Sequence, residues 1–569
     1  MASPLRLVVI GGVAAGLKAA CKAARLDPQA DITVLERSEI FSYAGCGLPY
    51  YVSGVVHEIR ELYSTPIGVP RDVGFFRHIK RVNVMNRTEA VSIDREEKVV
   101  HYRQLLDGAA GIDGPRGELT YDKLLIATGA APIVPPIPGA DLENVYVVKT
   151  VEDAKAIQAA IERCPTKKAV IVGGGLIGVE MAECLANCAY DVTMVEMLPH
   201  ILPMLDDEIA SLVEKHLADQ AITIHTATRV TALEGEGGMV KAAVCGAARL
   251  EADIVILAVG IRPRSELARE AGLEIGPLGG IKVDAAMRTS DPDIFAAGDC
   301  VETVHLLTGE PCYIPLGSTA NKQGRVAAMN ICGQYDVFPG VLGSVIVKVC
   351  DFNVACTGLS ERNAIRAGFR PISCLCPMPD RSHYYPEAKG VLMKLVADAD
   401  TGKLLGVQAV GPGEVAKRVD AAVPAITAGM TVEQVSKLDL CYAPPYASAM
   451  DNLITAANVL RNKLEGRMQG ITQEEVKRRL AAGEDFLLLD ARSPAEVEAA
   501  AIRGATNIPL GKVRQSLDHI PKDKPIVCFC QLSLRGYEAS LMLKAAGYQE
   551  VRVMDGGIAM WPYEIERGG

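Results

Sequence analysis

Two stretches of this chain repeat one pattern, and that pattern constrains the fold more than anything else in its 569 residues. The first, LRLVVIGGVAAGLKAACKAARL, is followed by DITVLER. The second, KKAVIVGGGLIGVEMAECLANC from Lys167, is followed by DVTMVEM. Each reads as an apolar strand, a glycine turn, an alanine-rich helix and a second strand ending in an acid, Glu36 or Glu196. In such a βαβ unit the glycines let the backbone approach a pyrophosphate, the helix start offers unpaired N–H groups, and the acid meets ribose hydroxyls. The second copy is complete in Gly173, Gly175 and Gly178, whereas Val13 stands between Gly11 and Gly16 in the first. A single glycine turn opens many helices. Two copies with the acid at the same distance predict two Rossmann-like domains, each for one dinucleotide.

The chain is too long for one hydrophobic core, so three or four domains are expected. Its 53 glycines and 5% aromatic content suit α/β architecture with many tight strand-to-helix turns. A net charge of −10 without any Lys/Arg-rich run speaks against nucleic-acid binding. No apolar run is long enough to span a membrane, and the N-terminus lacks the apolar core of a signal peptide. The 16 cysteines are scattered without paired spacing, so neither a disulfide framework nor a metal site is expected. They read as reduced thiols, mostly buried, in a cytoplasmic protein.

Further segments fall in a telling order. KLLIATGA (123–130) and DIVILAVGIRP (253–263) are strands ending in glycine turns, and TSDPDIFAAGDC (289–300) places Asp299 after a buried strand. The arrangement over about residues 5–455 resembles the pyridine nucleotide–disulfide oxidoreductases, flavoproteins with two dinucleotide-binding domains. The resemblance implies FAD on the first fingerprint, with Gly11, Gly16, Glu36, Arg37, Ser42, Thr128, Gly129 and Asp299. It implies NADH on the second, with Gly173, Gly175, Gly178, Glu180, Glu196 and Gly260. The Glu196 carboxylate would repel a 2′-phosphate, which favours NADH over NADPH.

Cys46, in SYAGCGLPYYVSG, sits where this family carries a redox-active cysteine at the start of a helix beside the flavin. A helix N-terminus stabilises a thiolate, and Pro49 suits a first turn. Dithiol members have a second cysteine five positions on, where this chain has Tyr51. Cys46 is therefore expected to cycle through a mixed disulfide, a persulfide or a sulfenic acid. The alternative is a buried structural cysteine.

The histidine that NADH oxidases and peroxidases carry in the first glycine turn is missing from GGVAAG. That turn, SHYYPE (382–387) and YAPPYASAMDNLITAAN (442–458) instead resemble coenzyme A–disulfide reductases. In that subfamily a tyrosine of each of the last two segments, from the partner of a homodimer, reaches the reactive cysteine. The matching residues are Tyr384 and Tyr442, candidates for proton donation to a leaving thiolate or for simple interface packing. Lys18, Lys22 and Arg25 share one helix face. Lys22 and Arg25 match coenzyme A contacts of the subfamily, and Arg77 or Lys80 would add charge, although a solvated basic face reads the same. Gly45 replaces the asparagine usual before the cysteine.

The last hundred residues begin afresh. CQLSLRG (530–536) lies between the strand KPIVCF and a helix, and a C-x-x-x-x-R loop there stabilises a thiolate or a persulfide anion. With LLDAR (Asp490, Arg492) and IRGATNIPL, the segment resembles a rhodanese module, implying Cys530 as sulfur acceptor and Arg535 as the residue closing the loop. Phosphatase loops of similar shape have five intervening residues, so four favour sulfur transfer.

The expected organisation is an FAD domain at 1–149 and 250–331, an NADH domain at 150–249 and an α+β dimerisation domain at 332–458. A linker at 459–470 and an α/β rhodanese domain at 471–569 complete it. The expected activity is NADH-dependent reduction of sulfane sulfur, persulfide or polysulfide, including coenzyme A persulfide. Cys46 would be its redox thiol and Cys530 its sulfur supply. A coenzyme A–disulfide reductase and a plain thiosulfate sulfurtransferase are the alternatives.

Overall fold

The computed structural model describes residues 3–106 and 113–567; the domain limits expected at residues 1 and 569 lie outside them. The chain divides into two compact units, Met1–Pro199 with Ile222–Val341, and His200–Ala221 with Leu342–Gly569.

The first unit holds two parallel sheets of five strands each. One is ordered Ile294–Ala296, Lys123–Ile126, Arg6–Ile10, Asp31–Leu35, Asn83–Met85. The other is ordered Thr223–His225, Asp191–Val195, Lys168–Val172, Ile254–Leu257, Val145–Tyr146. The repeated motif is visible in the pairing. Arg6 lies opposite Asp31 through to Ile10 opposite Leu35, and Lys168 opposite Asp191 through to Val172 opposite Val195. These strands are buried on both faces, which is why they read as continuous apolar runs. The second sheet takes strands from both sides of the 150–249 segment expected for it. Ile254–Leu257 pairs beside Lys168–Val172, so this buried apolar run belongs to the second layer and not, as a boundary at 250 implies, to the first. The unit also holds two three-stranded antiparallel sheets, Thr88–Asp94 with Val99–Leu105 and Asp113–Thr120, and Ala232–Glu236 with Met239–Cys245 and Ala248–Glu251, besides two short two-stranded pairs.

In the second unit a five-stranded antiparallel sheet runs Val345–Val349, Phe352–Gly358, Leu404–Gly411, Gly390–Asp398, Pro371–Pro379. Helices Ala416–Thr427 and Asn452–Leu464 pack on it. Helix Asp207–Asp219 is fastened to the same sheet by a buried charge cluster. Lys394, 1% exposed, pairs with Asp206 at 2.9 Å, Glu208 at 2.5 Å and Glu361 at 2.7 Å. Burial opposes a charge there, but Glu208, Asp206 and Glu361 together hold the ammonium above its ordinary range.

The C-terminal module is a parallel sheet ordered Gly470–Ile471, Val551–Met554, Ile526–Phe529, Leu487–Asp490, Thr506–Asn507. The 459–470 stretch expected as a linker is in part structured, because helix Asn452–Leu464 runs into it. Near that helix's end, Lys463 donates to Ser373 O at 2.6 Å and to Asp555 at 2.5 Å, tying the module to the antiparallel sheet. Among the described residues no helix is long and apolar enough to cross a membrane.

Candidate active site

The two glycine turns are built alike. Gly11 and Gly173 both take φ +109°, and a Cβ on either would strike the carbonyl of Ala127 or Ala258, just past the end of the neighbouring strand. Gly16 and Gly178 sit against the carbonyls of Gly11 and Gly173 in the same way, so a side chain is excluded by backbone that cannot move. Helices Ala15–Leu26 and Leu176–Asn187 both start without a side-chain cap, which leaves first-turn N–H groups for a phosphate. Glu36 is buried and accepts from the N–H of Gly12 at 2.7 Å and of Ser38 at 2.8 Å. Glu196 repeats this with Gly174 at 2.6 Å and Leu198 at 2.7 Å. A Cβ on Gly175 would meet open space, as the approach of a pyrophosphate requires.

Around the first turn, Ser42 donates its N–H to Gly12 O, and Thr128 and Gly129 are held by Arg264 backbone bonds. Gly260, at φ +119°, accepts from Ile133, and Arg37 faces Glu89 at 3.9 Å. The donor sets of both turns fit a dinucleotide.

Cys46 is exposed and lies in the short turn Gly45–Gly47, which leads into helix Leu48–Val52. Helix Leu176–Asn187 packs behind it, with the Cys184 thiol donating to Pro49 O at 3.1 Å. This packing directs the charge of Glu180 at Cys46. Asp299 follows strand Ile294–Ala296, its carbonyl accepting from the Tyr313 hydroxyl at 2.8 Å and its carboxylate facing Lys149 at 3.4 Å. The Tyr43 hydroxyl donates to Lys149 O. Neither Lys149 nor Tyr43 stood out in the sequence; the capping pair Thr150 and Asp153, which opens helix Val151–Arg163 directly after Lys149, was the available signal.

The expected lowering of the Cys46 thiol is corrected here. Desolvation, then the charges of Glu180 and Asp299, push it above its ordinary value, against the pull of Lys149. Glu180 is itself pushed up to about 7 by burial and then by Glu183, so its charge changes near neutrality. Removing that negative charge in Glu180→Gln should lower the pH midpoint of Cys46 alkylation by roughly half to one unit, and Lys149→Met should raise it. Midpoints that stay put in both variants would refute this electrostatic reading.

Tyr384 and Tyr442 are 66% and 51% exposed on loops of the second unit. One buried cation secures both loops. Arg418 bonds the Asp380 carbonyl ahead of Tyr384 and pairs with Asp451 at 3.2 Å beyond Tyr442, with Glu414 beside it. Of the basic helix face, Lys18 and Arg25 converge with Lys80 on Cys21, whose thiol burial raises and these charges lower. Lys22 instead lies toward Cys332 and Asp27, and Arg77 donates to Asn83. Lys18, Arg25 and Lys80 thus lie about Cys21, with Lys22 on the same helix near Cys332.

In the C-terminal module Cys530 is buried at the end of strand Ile526–Phe529. The turn Gly556–Gly557 braces its loop: Ile558 and Ala559 donate to the carbonyls of Cys530 and Gln531. Arg535 is gripped by both oxygens of Glu496, at 2.8 and 2.6 Å, and reaches the Cys530 sulfur. Arg492 pairs with Asp490 beneath.

Comparison with known proteins accords with this geometry. Residues 5–324 match the family model described as pyridine nucleotide-disulphide oxidoreductase. The chain belongs to the pyridine nucleotide-disulphide oxidoreductase family. Residues 344–454 match the dimerisation domain of that family, and residues 472–563 match a rhodanese-like domain. The chain is 37% identical over 458 residues to the CoA-dependent NAD(P)H sulfur oxidoreductase of Pyrococcus abyssi, spanning 80% of this chain and 98% of that one. It is 36% identical to the NAD(P)H coenzyme A polysulfide/persulfide reductase of Pyrococcus horikoshii, again over 80% and 98%. The solved NAD-dependent persulfide reductase of A. fulgidus superposes with a TM-score of 0.93 at 44% identity, covering 98% of this chain and 100% of that one.

Proposed function

We propose that this chain is an FAD-dependent reductase that uses NADH to reduce sulfane sulfur, coenzyme A persulfide or polysulfide, through Cys46. The observation that carries the reading is the meeting at one exposed thiol of both nucleotide domains, Glu180 from the second and Asp299 from the first. Bound FAD supplies hydride acceptance from NADH and two-electron delivery to sulfur. The Cys46 thiolate attacks the outer sulfur of R–S–SH, R–S⁻ leaves, and Cys46 holds –S–SH; two electrons then release HS⁻ and restore the thiolate. The net change is R–S–SH + NADH + H⁺ → R–SH + H₂S + NAD⁺.

Glu36 and Glu196 would hold the ribose hydroxyls of FAD and NADH, respectively. Lys22 and Arg25, with Lys18 and Lys80 adding charge, would meet the phosphates of coenzyme A. Tyr384 and Tyr442, exposed here, would complete the partner's site in a homodimer and donate the proton to the leaving thiolate. Cys530 would take up sulfane sulfur as a persulfide, with Arg535 at its loop. Sixteen cysteines scattered without paired spacing suit the reducing cytoplasm.

Anaerobic steady-state kinetics with NADH distinguish the readings. We expect kcat/KM for coenzyme A persulfide and polysulfide to exceed that for coenzyme A disulfide by at least about tenfold. A preference for the disulfide would make the protein a coenzyme A–disulfide reductase instead.

A further inference from the structure

The Cys530 loop carries one cation, Arg535, in the run CQLSLR. Both terminal nitrogens of that guanidinium bond Glu496, in the forked geometry that pairs Arg with a carboxylate, while the same guanidinium reaches the Cys530 sulfur. Glu496 is fixed in turn, accepting from the Ser493 hydroxyl at 2.8 Å and the Ser493 N–H at 3.0 Å. Its carboxyl is pulled down to about 2, chiefly by Arg535, so the pair is ionised and neutral in sum across the physiological range. The second arginine of the module near this layer, Arg492, is buried and bonded to Asp490 at 2.6 Å. Two of the four residues between the thiol and Arg535 are apolar and turned to solvent: Leu532 is 41% exposed and Leu534 is 65% exposed. Ser533 between them takes φ +97°, a strained conformation for a residue with a side chain, and its hydroxyl bonds Met554 O at 3.3 Å. The strain presents both leucines at the loop.

We propose that Cys530 takes its sulfur from an organic persulfide and discriminates against the thiosulfate dianion, with Glu496 as the specificity determinant. This rests on the reading of Cys530 as a sulfur acceptor and names the donor class for it. A thiosulfate donor must leave as sulfite, carrying two negative charges that need a free cation; here the cation is already neutralised, and a carboxylate stands next to it. An organic persulfide asks for less. The Cys530 thiolate attacks the terminal sulfur of R–S–SH, the S–S bond breaks, R–S⁻ departs with the bonding pair, and Cys530 keeps –S–SH. No electrons are gained or lost overall. The departing thiolate carries one charge, and its alkyl arm lies against the exposed leucines.

The test uses the full chain with Cys46→Ser, FAD bound and NADH omitted, so that only sulfur transfer to cyanide is read. Donors are thiosulfate and glutathione persulfide. We expect kcat/KM for the persulfide to exceed that for thiosulfate by at least about a hundredfold, and Glu496→Gln to raise the thiosulfate-to-persulfide ratio by roughly tenfold or more. Gln531→Lys, which adds a cation to the loop without touching the ion pair, should raise the same ratio even if Glu496→Gln folds poorly. A parent enzyme that uses both donors within about threefold, or a ratio unmoved in both variants, overturns the proposal. If Cys530→Ser transfers as well as its parent from both donors, the acceptor reading itself is wrong, a result distinct from either.

Discussion

Replacing Cys46 with serine should lower NADH-dependent sulfide release by roughly a thousandfold or more, while NADH still reduces the bound flavin at close to its normal rate. The two halves of the reaction separate because they use different parts of the first unit. On the proposed reading, hydride arrival would depend on the glycine turn at Gly173–Gly178 and on Glu196, which the substitution leaves alone. Electron departure needs a polarisable nucleophile that can hold sulfur, and a serine hydroxyl cannot form the persulfide. The small volume change at an exposed turn should leave folding intact. Rapid-mixing absorbance at the flavin band, beside anaerobic sulfide assays, reads both halves. Loss of flavin reduction as well would mean that Cys46 supports the NADH site.

The second large effect concerns stability. Lys394→Met should destabilise the second unit by about 3–5 kcal/mol, because it strands Asp206, Glu208 and Glu361 around a buried position with no counter-charge. The chain responds at the segment 200–221, whose attachment to the sheet depends on those contacts. Replacing the three carboxylates with their amides in the same protein should recover much of the loss, since the cost lies in the uncompensated charge and not in the missing methylenes. Urea unfolding followed by circular dichroism measures this. A single variant within about 1 kcal/mol of the parent would show that water reaches the cluster.

What could be read from the sequence was local. Gly11 and Gly173 announce themselves because a left-handed turn against a neighbouring carbonyl admits no other residue, and Glu36 and Glu196 follow at a fixed distance along the chain. The C-x-x-x-x-R loop was legible for the same reason. The structure adds what is distant in sequence. Lys394 gathers residues from 206 to 361, and Arg418 joins the loops of Tyr384 and Tyr442, with no periodic pattern to reveal either. The strand Ile254–Leu257 was assigned to the wrong layer because a buried apolar run looks the same in either sheet. The Cys46 thiol was given the wrong sign because a helix start is visible in sequence, whereas the carboxylates of Glu180 and Asp299 arrive through folding. Glu496 was overlooked as a partner of Arg535 because its motif reads only as a helix start, Ser493 followed by an acid three residues on.

The central claim, that electrons from NADH end on sulfane sulfur held by Cys46, is tested most directly by stoichiometry. Under anaerobic conditions, coenzyme A persulfide is supplied in limiting amount, and NADH oxidised, sulfide released and free coenzyme A thiol formed are measured together. The account predicts one sulfide and one thiol for each NADH, with all three falling together when Cys46 is replaced by serine. NADH oxidation without matching sulfide, or sulfide release that survives the loss of Cys46, would contradict it.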